Sequence, residues 1–557
     1  MTDTATPPRW PHLLLTAVLV ALCTPGLGYR HLWLDEVDTA ERTRTVLESG
    51  YPRVVDERGF FSLNTAGREI EDGDVHRYTP WVQYYVAAPG LAVAMALDLD
   101  RDKWSRVPFV LCHAATSGVA SYALAAFAGV PLGWAIAVGG ALGLQSVRLV
   151  YNRTVRYHAP MDLLSVVGLA GLAALWARRR SARWILATSI FLLPQTHSMS
   201  GSAIALTLGV LAWSFLVEKE RFPDRGDARR VALLFVALPG LASALLLTLL
   251  TRPWAQAAWG AWERREVRGL DNSAIRYAFI FSLACSGVLV LLRERAVALR
   301  MALCMALLAG LVSLMDWHPM STHRYYLSVP LVVALWPLTA GLGGLTTSWR
   351  HVALGALCLA LLFPDFQRGM AVSGNPLDFQ GLRRVFHDAE QEQKGTRQPM
   401  HEVVDILRLH AAPDEPILMD AVPQYVNWYL YGRPIALLPD VSERHALNHD
   451  HPVWERVPPM PEWHLWYPTW GAGPWTCHGH CDYRAELVDA ANPAGQYWLI
   501  SGRRNERVLM CPVRAWLGSR VNNAPFEFLA TGNLSPEGFR TDVMVLARPC
   551  ARVAPLE

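Results

Sequence analysis

The feature that most constrains this chain is a succession of apolar runs, each near the length of a bilayer crossing and separated by short charged clusters. A membrane-crossing helix needs roughly 20 mostly apolar residues, within a range of about 17 to 25. Runs near that length lie at 13–29, 107–128, 131–147, 160–177, 183–197, 200–217, 231–250, 274–292, 297–315, 323–345 and 350–364. A shorter run at 81–97 is ambiguous, and the sequence predicts 11 to 13 helices. Only helices and closed barrels satisfy their own backbone polar groups in lipid. The expected fold class is therefore mainly α, a polytopic transmembrane helical bundle over residues 1–364. The first run lacks a small-residue cleavage site and is read as a retained helix rather than a signal peptide.

Composition agrees with that division. Of 557 residues, 52% are hydrophobic and 18% charged, where soluble chains carry about a quarter charged residues. The deficit lies before residue 365. Beyond it the chain is polar and rich in Pro and His, which predicts a soluble α/β domain over 365–557. A net charge of +3, with only three Lys, implies no nucleic acid partner. No Gly-rich phosphate loop points to an ATPase.

Orientation follows from the basic loops, because cytoplasmic loops hold the excess of Lys and Arg. Placing 178–183, 218–230 and 293–300 inside puts 30–80, 148–159, 252–273, 316–322 and the C-terminal domain outside. The expected location is the bacterial cytoplasmic membrane with an extracytoplasmic C-terminal domain. A full crossing by 81–97 would conflict with this arrangement.

The outer loops collect the chemistry. The first opens with Asp35, Glu36 and Asp38. Asp35 is either the N-cap of an amphipathic helix running to Gly50 or a general base toward an acceptor hydroxyl, and the two roles are compatible. Further along stand His76, Arg77, Tyr78 and Tyr84. These aromatics suit an interface, and Arg77 suits a lipid phosphate. The stretch 148–158 holds Arg148, Arg153, Arg156, Tyr157 and His158 on the side where Arg should be scarce. Unpaired, these Arg imply an anionic partner such as a phosphate; Asp162 in the next run is the alternative partner for one of them. His197, His323 and Arg324 lie at further outer helix ends.

These landmarks, in this order, resemble the GT-C superfamily of integral membrane glycosyltransferases. The likeness is greatest to the bacterial branch of aminoarabinose transferase and protein O-mannosyltransferase-like enzymes. It rests on WLDEVDTAERTRTVLESGYP after the first helix, RYTPWVQYYV, RTVRYHAPMDLLSVVGLAGLAAL and HRYYLSVPLVVAL, and it covers residues 10 to about 345. Thr79-Pro80 stands where the family has a paired or Lys-preceded proline. The resemblance implies a GT-C-like bundle and a polyprenyl-phosphate-linked sugar as donor. It implies transfer with inversion on the extracytoplasmic face, to a lipid, glycan or protein acceptor. Asp35 takes the family's base position with Glu36 beside it, and Arg77, Arg153, Arg156 and Arg324 become donor-phosphate candidates. Some relatives use a divalent cation, for which His76, His197 and His323 are the candidates. A transporter or flippase of lipid-linked sugars is the competing reading, although midplane charge and internal repeats do not stand out. A non-enzymatic scaffold would make Asp35 dispensable.

In the C-terminal part, 415–422, 496–501 and 541–547 read as strands and 401–410 as a helix. Cys477, His478, His480 and Cys481 admit zinc. An oxidising compartment favours disulfides instead, with Cys477–Cys481 and Cys511–Cys550 the preferred pairs.

Overall fold

The computed structural model describes residues 7–53, 75–77, 79–176, 179, 182–216, 223–251 and 347–395. It also describes the segments 417–419, 428–429, 436–437, 498–503, 526–533 and 543–549. The spans expected at 274–292, 297–315 and 323–345, the helix at 401–410, Tyr78, His323, Arg324 and the cysteines from Cys477 onward lie outside these residues. The described part is mainly helical. It forms two compact units, one of residues 1–25, 77–86 and 106–387, the other of 26–76, 87–105 and 388–557.

The helices run α1 (Trp10–Cys23), α2 (Leu34–Ser49), α3 (Val82–Ala96), α4 (Arg101–Phe127), α5 (Leu132–Leu144), α6 (Ser146–Asn152), α7 (His158–Trp176), α8 (Ala182–Thr196) and α9 (Ser198–Leu216). Then come α10 (Arg225–Ala232), which passes through a π-helical turn at Leu233–Ala237 into α11 (Leu238–Thr251), and later α12 (Thr347–Ser373) and α13 (Gln380–Gln393). Three described stretches are long and apolar enough to cross a membrane, namely Arg101–Phe127, His158–Leu175 and Arg225–Leu250, and the bent pair α5–α6 adds a fourth if it is one span. Leu233, Leu241 and Leu245 are exposed on the Arg225–Leu250 stretch. So large an apolar surface is at home in lipid, and the chain is an integral membrane protein.

The core of the first unit joins α4, α5, α7 and α9 to α12 through residues such as Leu124, Leu142, Met161, Leu172, Leu208 and Leu357. Lipid tails give helices no hydrophobic reason to associate, so close packing through small residues does that work. A Cβ on Gly143 would stand 2.5 Å from Leu19 Cδ1, and one on Gly139 would stand 2.9 Å from Leu15 Cδ2. Glycine at these two positions lets α5 lie directly on α1.

Two expectations from the sequence need correction. The first run was expected to be helical over 13–29, but α1 stops at Cys23 and turns follow. Pro25 cannot donate to a continuing helix, and Gly26 takes a left-handed φ of +76°. The run 131–147 was expected to be one helix with a loop after it. The helix instead breaks at Gln145, which is extended at φ −63°, ψ 120°; α6 then departs at 61°, and Arg148 to Asn152 are helical. The carboxylate of Asp365 on α12 accepts the Ser146 backbone N–H at 2.9 Å, satisfying the first donor that the break exposes. The ambiguous run at 81–97 is the 15-residue helix α3, with Pro89 inside it. At ~1.5 Å per residue it reaches roughly 22 Å, short of a hydrocarbon core of about 30 Å.

In the second unit a five-stranded sheet has the order β2-β1-β3-β5-β4. Its strands are β1 (Ile417–Met419), β2 (Ala436–Leu437), β3 (Trp498–Arg503), β4 (Phe526–Asn533) and β5 (Val543–Pro549). β1 pairs in parallel with β2 and β3, and β5 runs antiparallel to β3 and β4. The three strands expected from sequence overlap β1, β3 and β5, with β1 confined to Ile417–Met419.

Candidate functional site

In the first unit, the stretch from the α5–α6 break to the start of α7 gathers most of the expected residues. Arg148 and Asp162 form a buried ion pair between Arg148 Nη1 and Asp162 Oδ2. Arg148 Nε also donates to Gln145 Oε1 at 2.7 Å. Asn152 Nδ2 donates to Asp162 Oδ2 at 2.9 Å and lies 3.0 Å from His113 Nδ1. His113 Nε2 is 2.9 Å from the Gly143 carbonyl. A carbonyl only accepts, so Nε2 carries the proton and Nδ1 accepts from Asn152. Asp162 thus answers Arg148, the alternative that the sequence left open.

Arg153 is directed at the end of α1. Its Nε donates to the Cys23 carbonyl at 3.1 Å and its Nη2 to the Pro25 carbonyl at 2.8 Å. A cation at the last carbonyls of a helix satisfies orphan acceptors and suits the dipole. Arg77 donates through Nη1 to the Leu249 carbonyl in the last turn of α11. The anionic partner inferred from these Arg is thus supplied from inside the unit for Arg148, while helix carbonyls engage Arg153 and Arg77.

Arg156, Tyr157, His158 and His197 come together where α8 breaks into α9. The Tyr157 ring lies 4.3 Å by centroids from both the His158 and the His197 rings, and Arg156 Cζ stands 5.5 Å over it. All four residues are buried. The Ser200 backbone N–H donates to His197 Nδ1 at 3.2 Å, and Ser200 Oγ is 2.8 Å from the same nitrogen. Nδ1 is therefore the acceptor, and the neutral ring carries its proton on Nε2.

The second unit holds Asp35, Glu36 and His76. Glu36 is the third helical residue of α2, and its Oε2 accepts the Trp33 backbone N–H at 3.2 Å. Trp33 is the N-cap residue. The N-cap position expected of Asp35 is thus held by Trp33, and Glu36 at the third helical position reaches back to its N–H. Glu36 is buried, whereas Asp35 is partly exposed. Gly50 ends the helix at a left-handed φ of +84°, as the sequence suggests. Along α2, Arg42 pairs with Asp38 at 3.4 Å, and Arg44 pairs with Glu41 at 3.3 Å and Glu48 at 2.7 Å. These i,i+3 and i,i+4 pairs let so charged a helix be buried. The His76 backbone N–H donates to the Pro52 carbonyl at 2.9 Å, next to a bridge between Arg53 and Val75. Residues 52–53 and 75–76 are thereby held together.

Sequence reasoning missed His113, Asn152 and Asp365. His113 was detectable as an ionisable residue inside an apolar run, which is a functional or structural mark in its own right. Asp365 carries no local mark. Among the described residues no three His, Cys, Asp or Glu side chains gather in a way that fits a metal ion.

No protein-family description matches the chain, and no curated protein matches it. Solved structures do. The chain is similar to ArnT from Cupriavidus metallidurans in the apo state, with a TM-score of 0.55 at 15% identity over 96% of this chain and 97% of that one. It is similar also to ArnT from the same organism bound to undecaprenyl phosphate, with a TM-score of 0.52 at 15% identity over 98% of both chains. At such identity the likeness is one of architecture: this chain has a fold similar to that of ArnT over nearly its whole length.

Proposed function

We propose that the chain is a membrane glycosyltransferase, moving a sugar from a polyprenyl-phosphate-linked donor to an acceptor on the extracytoplasmic face. The observation that carries this reading is the full-length likeness to a fold whose solved example is bound to undecaprenyl phosphate. Asp35 serves as the base. Its carboxylate takes the acceptor hydroxyl proton as that oxygen attacks the anomeric carbon. The bond from that carbon to the phosphate oxygen breaks, and the lipid phosphate leaves with the electron pair. A single displacement inverts the anomeric centre and needs no second carboxylate.

Arg156 is the first candidate to stabilise the charge growing on the leaving phosphate. Arg153 and Arg77, which also donate to backbone carbonyls, are further candidates for the same role. Arg324 is assigned the same role from its motif, HRYYLSVPLVVAL.

The test is transfer by purified protein in detergent, from a panel of radiolabelled polyprenyl-phosphate sugars to membrane extract, with and without a chelator. Asp35→Asn is expected to lower kcat by about 10²- to 10⁴-fold with unchanged gel filtration. Transfer untouched by that change would remove Asp35 as the base. Movement of lipid-linked sugar across reconstituted vesicles, without transfer from any donor, would replace the enzyme with a flippase. Loss of transfer on chelation, restored by added Mg²⁺ or Mn²⁺, would add a cation to the site.

A further inference from the structure

Trp428 and Tyr429 belong to no motif, yet both are buried and both aim at one carboxylate. Trp428 Nε1 donates to Asp102 Oδ1 at 2.8 Å, and the Tyr429 hydroxyl donates to Asp102 Oδ2 at 2.6 Å. The same hydroxyl oxygen accepts the Leu32 backbone N–H at 2.6 Å. Leu32 is buried and precedes Asp35 by three residues. Asp102 sits in the first turn of α4, where a negative charge suits the helix dipole.

The order of donation matters here. The carboxylate takes the phenol proton, so a lone pair of the phenol oxygen faces Leu32. A hydrogen bond to a charged acceptor also polarises the hydroxyl and strengthens what it accepts in turn. Elsewhere the same linker is held from α13: Glu392 Oε2 accepts the Gly26 N–H at 2.7 Å, and Asp388 accepts from Arg30 Nε at 3.0 Å. Glu392 also pairs with Lys103, the neighbour of Asp102, at 2.9 Å. The backbone leading into α2 is thus gripped at residues 26, 30 and 32, and the last grip lies nearest Asp35.

We infer that Tyr429, oriented by Asp102, is a positioning residue for transfer, fixing the backbone that presents Asp35. This rests on the reading of Asp35 as the base. A tyrosine kept only for its ring would tolerate phenylalanine. Here Tyr429→Phe removes the acceptor of a buried amide and one donor to a buried carboxylate, and leaves the packing in place.

The experiment compares full-length wild type, Tyr429→Phe, Asp35→Asn and the double variant in the transfer assay, with gel filtration and unfolding temperature as folding controls. Tyr429→Phe is expected to lower kcat on the order of tenfold to hundredfold while donor KM changes by less than about twofold, the mark of a misplaced reacting group rather than lost binding. In the Asp35→Asn background it is expected to cost nothing further, because the residue it positions is already gone. A Tyr429→Phe rate equal to wild type overturns the inference. So does a loss that multiplies unchanged through the double variant, which would mark a general structural role. If Asp35→Asn alone transfers as wild type, the base assignment fails separately. Tyr429 is then judged on its own kcat: a loss at constant KM keeps it as a positioning residue for the start of α2, and no loss removes it.

Discussion

Asp162 matters first as the partner of a buried cation. Arg148 and Asp162 are both almost fully buried, and removing one member of such a pair costs about 3–5 kcal/mol because the other charge is left without compensation. Replacing both with apolar residues of similar volume is often neutral. Asp162→Ala is therefore expected to lower the unfolding temperature in detergent sharply, whereas Arg148→Met with Asp162→Leu recovers most of the loss. A double variant as unstable as the single one would show that the pair is required for more than mutual neutralisation. Asp162→Asn should fall between, since it keeps an acceptor for Asn152.

Turning from side chains to elements, two left-handed glycines, Gly50 at the end of α2 and Gly26 in the turn after α1, lie in different surroundings. A Cβ on Gly50 meets nothing within 4 Å, whereas one on Gly26 would stand 2.5 Å from Ala389 N and 2.6 Å from Asp388 C. Gly50→Ala therefore carries only the backbone penalty of roughly 1–2 kcal/mol. Gly26→Ala adds a collision with α13 that backbone atoms cannot relieve by a rotamer change. The expected order of unfolding temperatures is wild type, then Gly50→Ala, then Gly26→Ala, with faster amide exchange in 26–33 only for the last. Equal losses for both variants would mean that the close approach to α13 contributes little.

Elements with local causes were legible in the sequence. The apolar runs that became α4 and α7, the acidic start of α2, its glycine stop and the strands β1, β3 and β5 each follow from residues adjacent in the chain. The break at Gln145 was not legible, because what stabilises it is Asp365, 219 positions from Ser146. The division of labour between Asp35 and Glu36 was hidden for another reason: either carboxylate suits a first turn, and only backbone geometry selects which one reaches Trp33. Tyr429 was invisible because its partners Leu32 and Asp102 are 397 and 327 positions away.

At the scale of the whole molecule, those long separations make the two units interdependent in sequence. The second unit takes residues 26–76 and 87–105 from the early chain and everything from 388 onward. A chain ended after His387 keeps the whole sequence of the first unit but loses Asp388, Glu392 and Tyr429, the partners of Arg30, Gly26 and Leu32. Membrane insertion depends on the apolar runs and is expected to survive the truncation. The linker into α2 would lose three grips at once, and ordering a backbone segment without compensating contacts costs about 1–2 kcal/mol per residue. The truncated chain should therefore be recovered in the membrane fraction, cut by a non-specific protease within residues 24–53, and inactive in transfer. A truncated chain as protected there as the full-length protein would show that α2 and its linker hold their place without the later residues. The positioning of Asp35 would then belong to the early chain alone.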